Sequence, residues 1–217
     1  MITSLYTNRM PSFGAFMMDV RAVSVIEFAF GLPVFLIAIM GGLETANMVI
    51  TQQRVAEIAN EIAQNSARGN GQIDEADISQ IMTGARLAAE GSPILTKGRI
   101  ILSSVRLNAA KNGQWIEWQR CEGDDKTIKS TYGAQNKGST DPTLQQVGPA
   151  PGLKAVDGVD IMVVEISTTY QPIIGNAFSL VAAGKKLTAV AANVVRDRTT
   201  FAIKNDSDLT SSQIKTC

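Results

Sequence analysis

The stretch from Ser24 to Leu43, SVIEFAFGLPVFLIAIMGGL, decides the fold because it carries no charge between Glu27 and Glu44. At a rise of about 1.5 Å per residue, a helix over residues 22–43 would reach roughly 30 Å, the thickness of a bilayer core. The alternative is a helix buried in a soluble core, but such a helix normally keeps a polar face, and this run has none. The sequence therefore predicts a transmembrane helix, over residues 23–45.

Residues 1–22 form a short polar segment ahead of this helix. An ordinary secretory signal is one interpretation, but it needs a small-x-small cleavage site just after the apolar run. Residues 39–41, Ile-Met-Gly, and residues 44–46, Glu-Thr-Ala, are both poor sites. We therefore expect the helix to stay in the mature protein and residues 1–22 to be a cytoplasmic leader, favoured by about one net positive charge.

The composition limits the chemistry that the chain performs. Its 217 residues suit one domain and an anchor, and 20 basic residues balance 20 acidic ones, so no affinity for nucleic acid is predicted. Histidine is absent from the sequence, which removes the commonest general base and metal ligand. No nucleophile motif or phosphate-binding loop is present. We expect no enzyme, no cofactor and no metal site; an anchored hydrolase would need two facing carboxylates.

The chain after the span predicts two helices. Apolar residues continue at three- and four-residue spacings to about residue 67, which indicates an amphipathic extension of the span that ends at Gly69-Asn70-Gly71. A second helix is expected over residues 75–89. Asp74 is its candidate N-cap, and Asp77 stands at the third helical position, where an acid is favourable.

From Arg99 onward the apolar period becomes two, which indicates strands. Asn112-Gly113 predicts a hairpin, because both residues tolerate positive φ. The polar region 122–157 is either a surface loop or contains a short element that the pattern does not show. The predicted strands cover residues 100–107, 114–120, 159–170 and 186–203. Four strands after two helices predict an α+β domain with an antiparallel sheet, over residues 46–217.

The chain has two cysteines, Cys121 and Cys217. They lack a CxxC spacing and a histidine partner, so zinc binding and thioredoxin-like chemistry are poorly supported. In an extracytoplasmic domain the two residues form one disulfide, whereas in a reducing compartment they stay unpaired thiols. We favour the disulfide.

The residues around the start of the span also resemble a known family. Val23-Ser24-Val25-Ile26-Glu27-Phe28-Ala29, followed by Pro33 and an aliphatic run, closely resembles the N-terminal signature of TadE-like pseudopilins, which belong to the tight-adherence (Tad/Flp) branch of type IV pili. The resemblance is strong from Arg21 to about Ala67. It is weaker over the strands, although residues 163–172, VVEISTTYQP, resemble a late strand of the family.

The resemblance implies that a membrane prepilin peptidase cleaves between Ala22 and Val23, which makes Glu27 the fifth mature residue. The family usually has glycine before the cleavage point, whereas this chain has Ala22. It also implies that Glu27, Phe28 and Pro33 act in assembly. The alternative for Glu27 is a carboxylate that merely reaches the lipid headgroups, because an acid at the edge of a span is costly to bury.

The resemblance thus predicts a structural protein, a minor pilin or pseudopilin of Tad/Flp pilus assembly with a role in cell adhesion. Its partners would be other pilins and pseudopilins, the prepilin peptidase, the inner-membrane assembly platform and the membrane itself. The chain would cross the bacterial inner membrane once, with a periplasmic C-terminal domain, or be incorporated into a cell-surface pilus. The alternative is a membrane-anchored periplasmic ligand-binding or adhesion module that uses the 122–157 loop.

Overall fold

The computed structural model describes residues 20–68, 71–174, 184–196, 198, 200 and 202–217. Almost all of the predicted leader, Gly69, Asn70 and Phe201 therefore lie outside the described residues. The elements are α1 (Val20–Ala67), α2 (Glu75–Ala88), β1 (Gly98–Leu107), β2 (Gln114–Glu122), β3 (Ile161–Thr169) and β4 (Lys186–Val194). The α+β class, the two helices and the four-stranded antiparallel sheet are confirmed.

Helix α1 is one continuous element of 48 residues, about 72 Å long at the usual rise. Its first half is exposed at every residue from Val23 to Ile39. Its second half buries a stripe of small and branched side chains at helical spacing: Val55, Ile58, Ala59, Ile62 and Ala63. The same helix therefore extends from an apolar stalk into the core of the folded domain.

Helix α2 begins as the sequence predicts. The Asp77 carboxylate accepts a hydrogen bond from the Asp74 backbone N–H at 3.0 Å, and the Asp74 carboxylate accepts one from the Ala76 N–H at 3.3 Å. This capping box satisfies backbone donors that the first helical turn cannot pair. The helix ends at Ala88, one residue before the predicted end.

The sheet has the order β2-β1-β3-β4 and is antiparallel throughout. Helices α1 and α2 cover one face, where they pack against alternate residues of β3: Met162, Val164 and Ile166. Strand β2 has a β-bulge at Glu117: Trp118 pairs with Ser104 and Ile116 pairs with Val105, so Glu117 is an extra residue without a partner in β1. The bulge shifts the alternation of side chains between the two faces of the sheet. Trp118 therefore packs in the helix-covered core and Ile116 in the core on the opposite face.

The polar region between β2 and β3 covers that opposite face. Leu144, Val147 and Ala155 are buried there against the sheet. The Gln114 side chain at the start of β2 accepts a hydrogen bond from the Ala155 N–H at 2.7 Å, which fixes the segment to the strand. The region is thus neither a free surface loop nor a regular element; it is an irregular layer that closes a second core.

Two sequence predictions need correction. The last strand ends at Val194 and not near residue 203, because the chain leaves β3 after Val195 and crosses toward α1. Arg198 marks that crossing, since its Nη2 donates to the Ser66 carbonyl at 2.7 Å. The β1–β2 hairpin is present, but its turn spans six residues and Lys111, with φ of 54°, is its left-handed residue.

Candidate assembly helix and helix–domain junction

The apolar half of α1 is the first candidate functional surface. It contains an 18-residue segment of mean hydropathy 2.3 in which no residue is buried inside the fold. Large side chains are open on all sides of it, for example Phe28 at 67% and Phe30 at 77% exposure. Water is an unfavourable environment for so much contiguous apolar surface. The segment has the length and composition of a membrane anchor.

The structure places Glu27, Phe28 and Pro33 on this exposed half of α1. They lie outside the folded domain and are exposed among the residues that the structure describes. Pro33 lies inside the helix without ending it. Because proline has no N–H, the backbone bond that would end on the Ala29 carbonyl cannot form, and the helix is locally easier to bend there.

The predicted cleavage point also falls on α1. The bond between Ala22 and Val23 lies within its first described turn, since the helix begins at Val20. Val23 is half exposed. Glu27 follows one helical turn later, about 6 Å along the axis.

The second candidate site is the helix–domain junction, made of Glu44, Asn47, Tyr170, Ile173 and Ile174. Glu44 ends the apolar run and is only 4% exposed. Its Oε1 accepts a hydrogen bond from the Tyr170 hydroxyl at 2.5 Å, and its Oε2 accepts from the backbone N–H groups of Ile173 and Ile174 at 3.2 Å each. A buried carboxylate with this set of donors is a strong attachment point.

The Tyr170 hydroxyl is itself held in place. Asn47 Nδ2 donates to it at 2.6 Å from the next turn of α1. Burial raises the pKa of Tyr170, and its hydrogen bond to Glu44 raises it further. The phenol therefore stays protonated and able to donate to Glu44 across the physiological pH range. The junction locks the end of β3 onto α1 at the boundary of the apolar segment.

Contacts beyond the junction continue along α1. Met48 packs against Tyr170 and Leu187, and Gln52 Nε2 donates to the Thr188 carbonyl of β4 at 2.8 Å. The domain is thus fixed to the helix from Glu44 onward.

Sequence reasoning placed Glu44 only as the charge that ends the span. The sequence feature that could have indicated its role is the one that applies to Glu27. An acidic residue at the edge of an apolar helix costs free energy to bury unless it has a hydrogen-bonding or charged partner. Its main partner could not be found from the sequence, because Tyr170 is 126 residues away in the chain.

The structure joins Cys121, in β2, to Cys217 in a disulfide. The tail runs beside β2 at this point, since the Cys121 N–H donates to the Lys215 carbonyl at 2.7 Å. Arg99 Nη2 also donates to the Cys217 carbonyl, at 3.0 Å. The disulfide thus adds a covalent link to a tail that already pairs with the sheet.

A comparison with known families bears directly on α1. Residues 22–64 match the model of the TadE-like protein family. The resemblance found at the start of the span is therefore confirmed, and the TadE-like segment includes Glu27, Pro33 and Glu44. No curated protein and no solved structure matches the chain. At family level the TadE-like match supports a component associated with the Tad pilus.

Proposed function

We propose that this protein is a minor pilin or pseudopilin of Tad/Flp pilus assembly. In this proposal α1 spans the bacterial inner membrane once, the leader is cytoplasmic and the α+β domain is periplasmic. The observation that carries it is the TadE-like match on a helix whose apolar half is exposed while its other half holds the domain. The role is structural, with no catalytic step and no cofactor.

The proposed partners follow from this arrangement. Prepilin peptidase would remove the leader, the inner-membrane platform would receive the mature chain, and other pilins or pseudopilins would pack against the exposed half of α1. An apolar helix without a polar face is suited to such packing within the membrane, where close contact between helices replaces contact with lipid.

Glu27 would set the position of one subunit against another. An unpaired carboxylate costs about 2.5–3.5 kcal/mol near the centre of a span and less toward its edge. Cleavage before Val23 would create an α-amino group about 6 Å from Glu27 along the helix. That amine, from the same or a neighbouring chain, would neutralise Glu27, and the buried pair would favour one axial offset between helices.

The Glu27→Gln variant tests the assembly role. It keeps the shape of the side chain but removes its charge, so we expect normal membrane insertion and a folded domain, with lower recovery of partner pilins. The measurement is co-purification of partner pilins from membranes that contain equal amounts of each variant. Glu57→Gln is the matched control, because Glu57 is an exposed carboxylate on the same helix beyond the span. Equal recovery of partners with wild type and Glu27→Gln would reject the role.

Processing is a separate prediction. Analysis of the membrane-extracted protein should find Val23 as the first residue. Ala22→Gly should raise the processed fraction at short times, because the smaller side chain matches the glycine usual in the family. Retention of Met1 in cells with an active peptidase would contradict cleavage and leave the anchor intact.

A further inference from the structure

The helix–domain junction determines which end of the domain lies next to the membrane. Glu44 ends the apolar run, and its carboxylate binds the backbone N–H groups of Ile173 and Ile174, just after β3. The chain returns at Lys185, whose carbonyl accepts the Tyr170 N–H at 2.9 Å. Both sides of the β3–β4 connection are therefore fixed at the depth where the apolar segment ends.

The first residues of β4 lie at the depth of the lipid headgroups. A shallow pocket of ≈ 320 Å³ is lined by Met48, Val49 and Gln52 of α1 and by Lys185 and Lys186. Met48 is four residues beyond Glu44, which is about 6 Å along the helix. The headgroup layer extends roughly 5–8 Å beyond the hydrocarbon core on each side of a bilayer. The two lysines therefore lie within or just above that layer.

The surface at this depth combines apolar and basic side chains. Ile173 is 70% exposed, although its backbone is tied to Glu44. Val49 and Ile50 are also open on α1, at 48% and 62%. Lys185 and Lys186 are exposed and line the same pocket as Val49. The Asp125 carboxylate lies close enough to Lys186 for an attractive charge interaction. Exposed aliphatic residues beside lysines are typical of surfaces that lie on an anionic membrane.

We propose that this rim, made of Val49, Ile173, Lys185 and Lys186, is a second membrane-contact surface. It sets Ile173 into the headgroup region and Lys185 against anionic headgroups of the bilayer that α1 spans. The domain is then held to the membrane at two places, which limits its rotation about α1. The proposal rests on the membrane insertion of α1 and not on the Tad assembly role.

The full-length protein with Ile173→Cys, labelled with an environment-sensitive fluorophore, provides the test. The two native cysteines are joined in a disulfide, so the introduced thiol takes the label. The protein is reconstituted into phosphatidylcholine vesicles, with or without phosphatidylglycerol, that carry a headgroup quencher. Val156→Cys is the matched control, because Val156 is 59% exposed and lies near the start of β3, at the opposite end of the sheet.

We expect the label at Ile173 to be quenched several-fold more than the label at Val156, and more strongly in anionic vesicles. Adding Lys185→Glu should bring the quenching at Ile173 in anionic vesicles down to its value in neutral vesicles. Equal quenching at the two positions, in protein that floats with the vesicles, would overturn the rim and leave the assembly role untouched. Failure to float would overturn the insertion of α1, and the rim with it.

Discussion

At the scale of single residues, the buried charges of this domain are of two kinds. Glu75 and Arg120 form a buried ion pair between α2 and β2, with Arg120 Nε donating to Glu75 Oε2 at 2.9 Å. Asp160 is 1% exposed; the Ser104 hydroxyl donates to its Oδ2 at 3.1 Å, and Arg106 Nε lies 3.8 Å from its Oδ1. Burial therefore dominates at Asp160 and raises its pKa to about 6.

The raised pKa of Asp160 predicts how stability changes with pH. The folded chain keeps the Asp160 proton up to about pH 6, whereas the unfolded chain releases it near pH 3.8. The stabilisation that this proton gives the folded state is therefore complete below pH 3.8 and is lost as the pH rises through about 6. The loss at neutral pH is at most about 3 kcal/mol. Asp160→Asn, which mimics the protonated acid, should be more stable than wild type at pH 7 and equal to it near pH 4.

The measurement is denaturant unfolding of both proteins in detergent from pH 4 to pH 7, reported as their difference in free energy. The difference is needed because hydrogen bonds lower the pKa values of Asp74, Asp125 and Asp141, and these groups add a pH dependence of stability of the opposite sign. A difference that does not change with pH would show that Asp160 titrates as it does in the unfolded chain.

Whether the role of a residue could be predicted from the sequence depended on how far away in the chain its partners lie. The capping role of Asp74 was predictable because its partners lie within three residues. The placement of Glu27 and Pro33 on an exposed apolar helix was predictable for the same reason, since it follows from one local run. Glu44 and Asp160 were missed, because Tyr170 and Ser104 come from distant parts of the chain.

At the scale of elements, periodicity predicted the two helices and the four strands, but not how they close the fold. Alternation reveals a strand and its two faces, and it does not show what covers the second face. Here the cover is the irregular region that contains Leu144 and Val147, which has no periodic signal. The predicted end of β4 was wrong because apolar content alone does not show where pairing stops: Val195 is buried in the helix-covered core, but Arg198 already bonds to the Ser66 carbonyl of α1.

The C-terminal tail is an element whose position can be tested through the disulfide. Its closed loop spans 96 residues, for which chain entropy allows a stabilisation of up to about 4.7 kcal/mol. Mass tagging of the denatured, unreduced protein should therefore find no reactive thiol. Replacing both cysteines with serine should lower the midpoint of thermal unfolding and expose the tail after Asn205 to proteases. Two reactive thiols per chain would contradict the bond.

At the scale of the whole molecule, one helix connects an exposed apolar segment to a folded domain, and the TadE-like match coincides with that helix. A subunit packed through its apolar half transmits its position to the domain only if the helix and the domain move together. The buried stripe from Val55 to Ala63 supplies apolar contact, which is strong but not directional. The directional contacts next to the apolar half of α1 are those of Glu44, Asn47 and Tyr170.

Tyr170→Phe tests whether this junction holds the domain to the helix. The change removes a hydroxyl that donates to a buried carboxylate, so we expect the free energy of unfolding to fall by about 1.5–3 kcal/mol. Tyr132→Phe is the matched control, because the Tyr132 hydroxyl donates to a neutral carbonyl, that of Gly148, at 2.9 Å, and its loss should cost about 0.5–1.5 kcal/mol. Urea unfolding of the three proteins in detergent at pH 7 gives the comparison. A cost for Tyr170→Phe no greater than that of Tyr132→Phe would mean that apolar packing alone fixes the domain, and that Glu44 is not its attachment point.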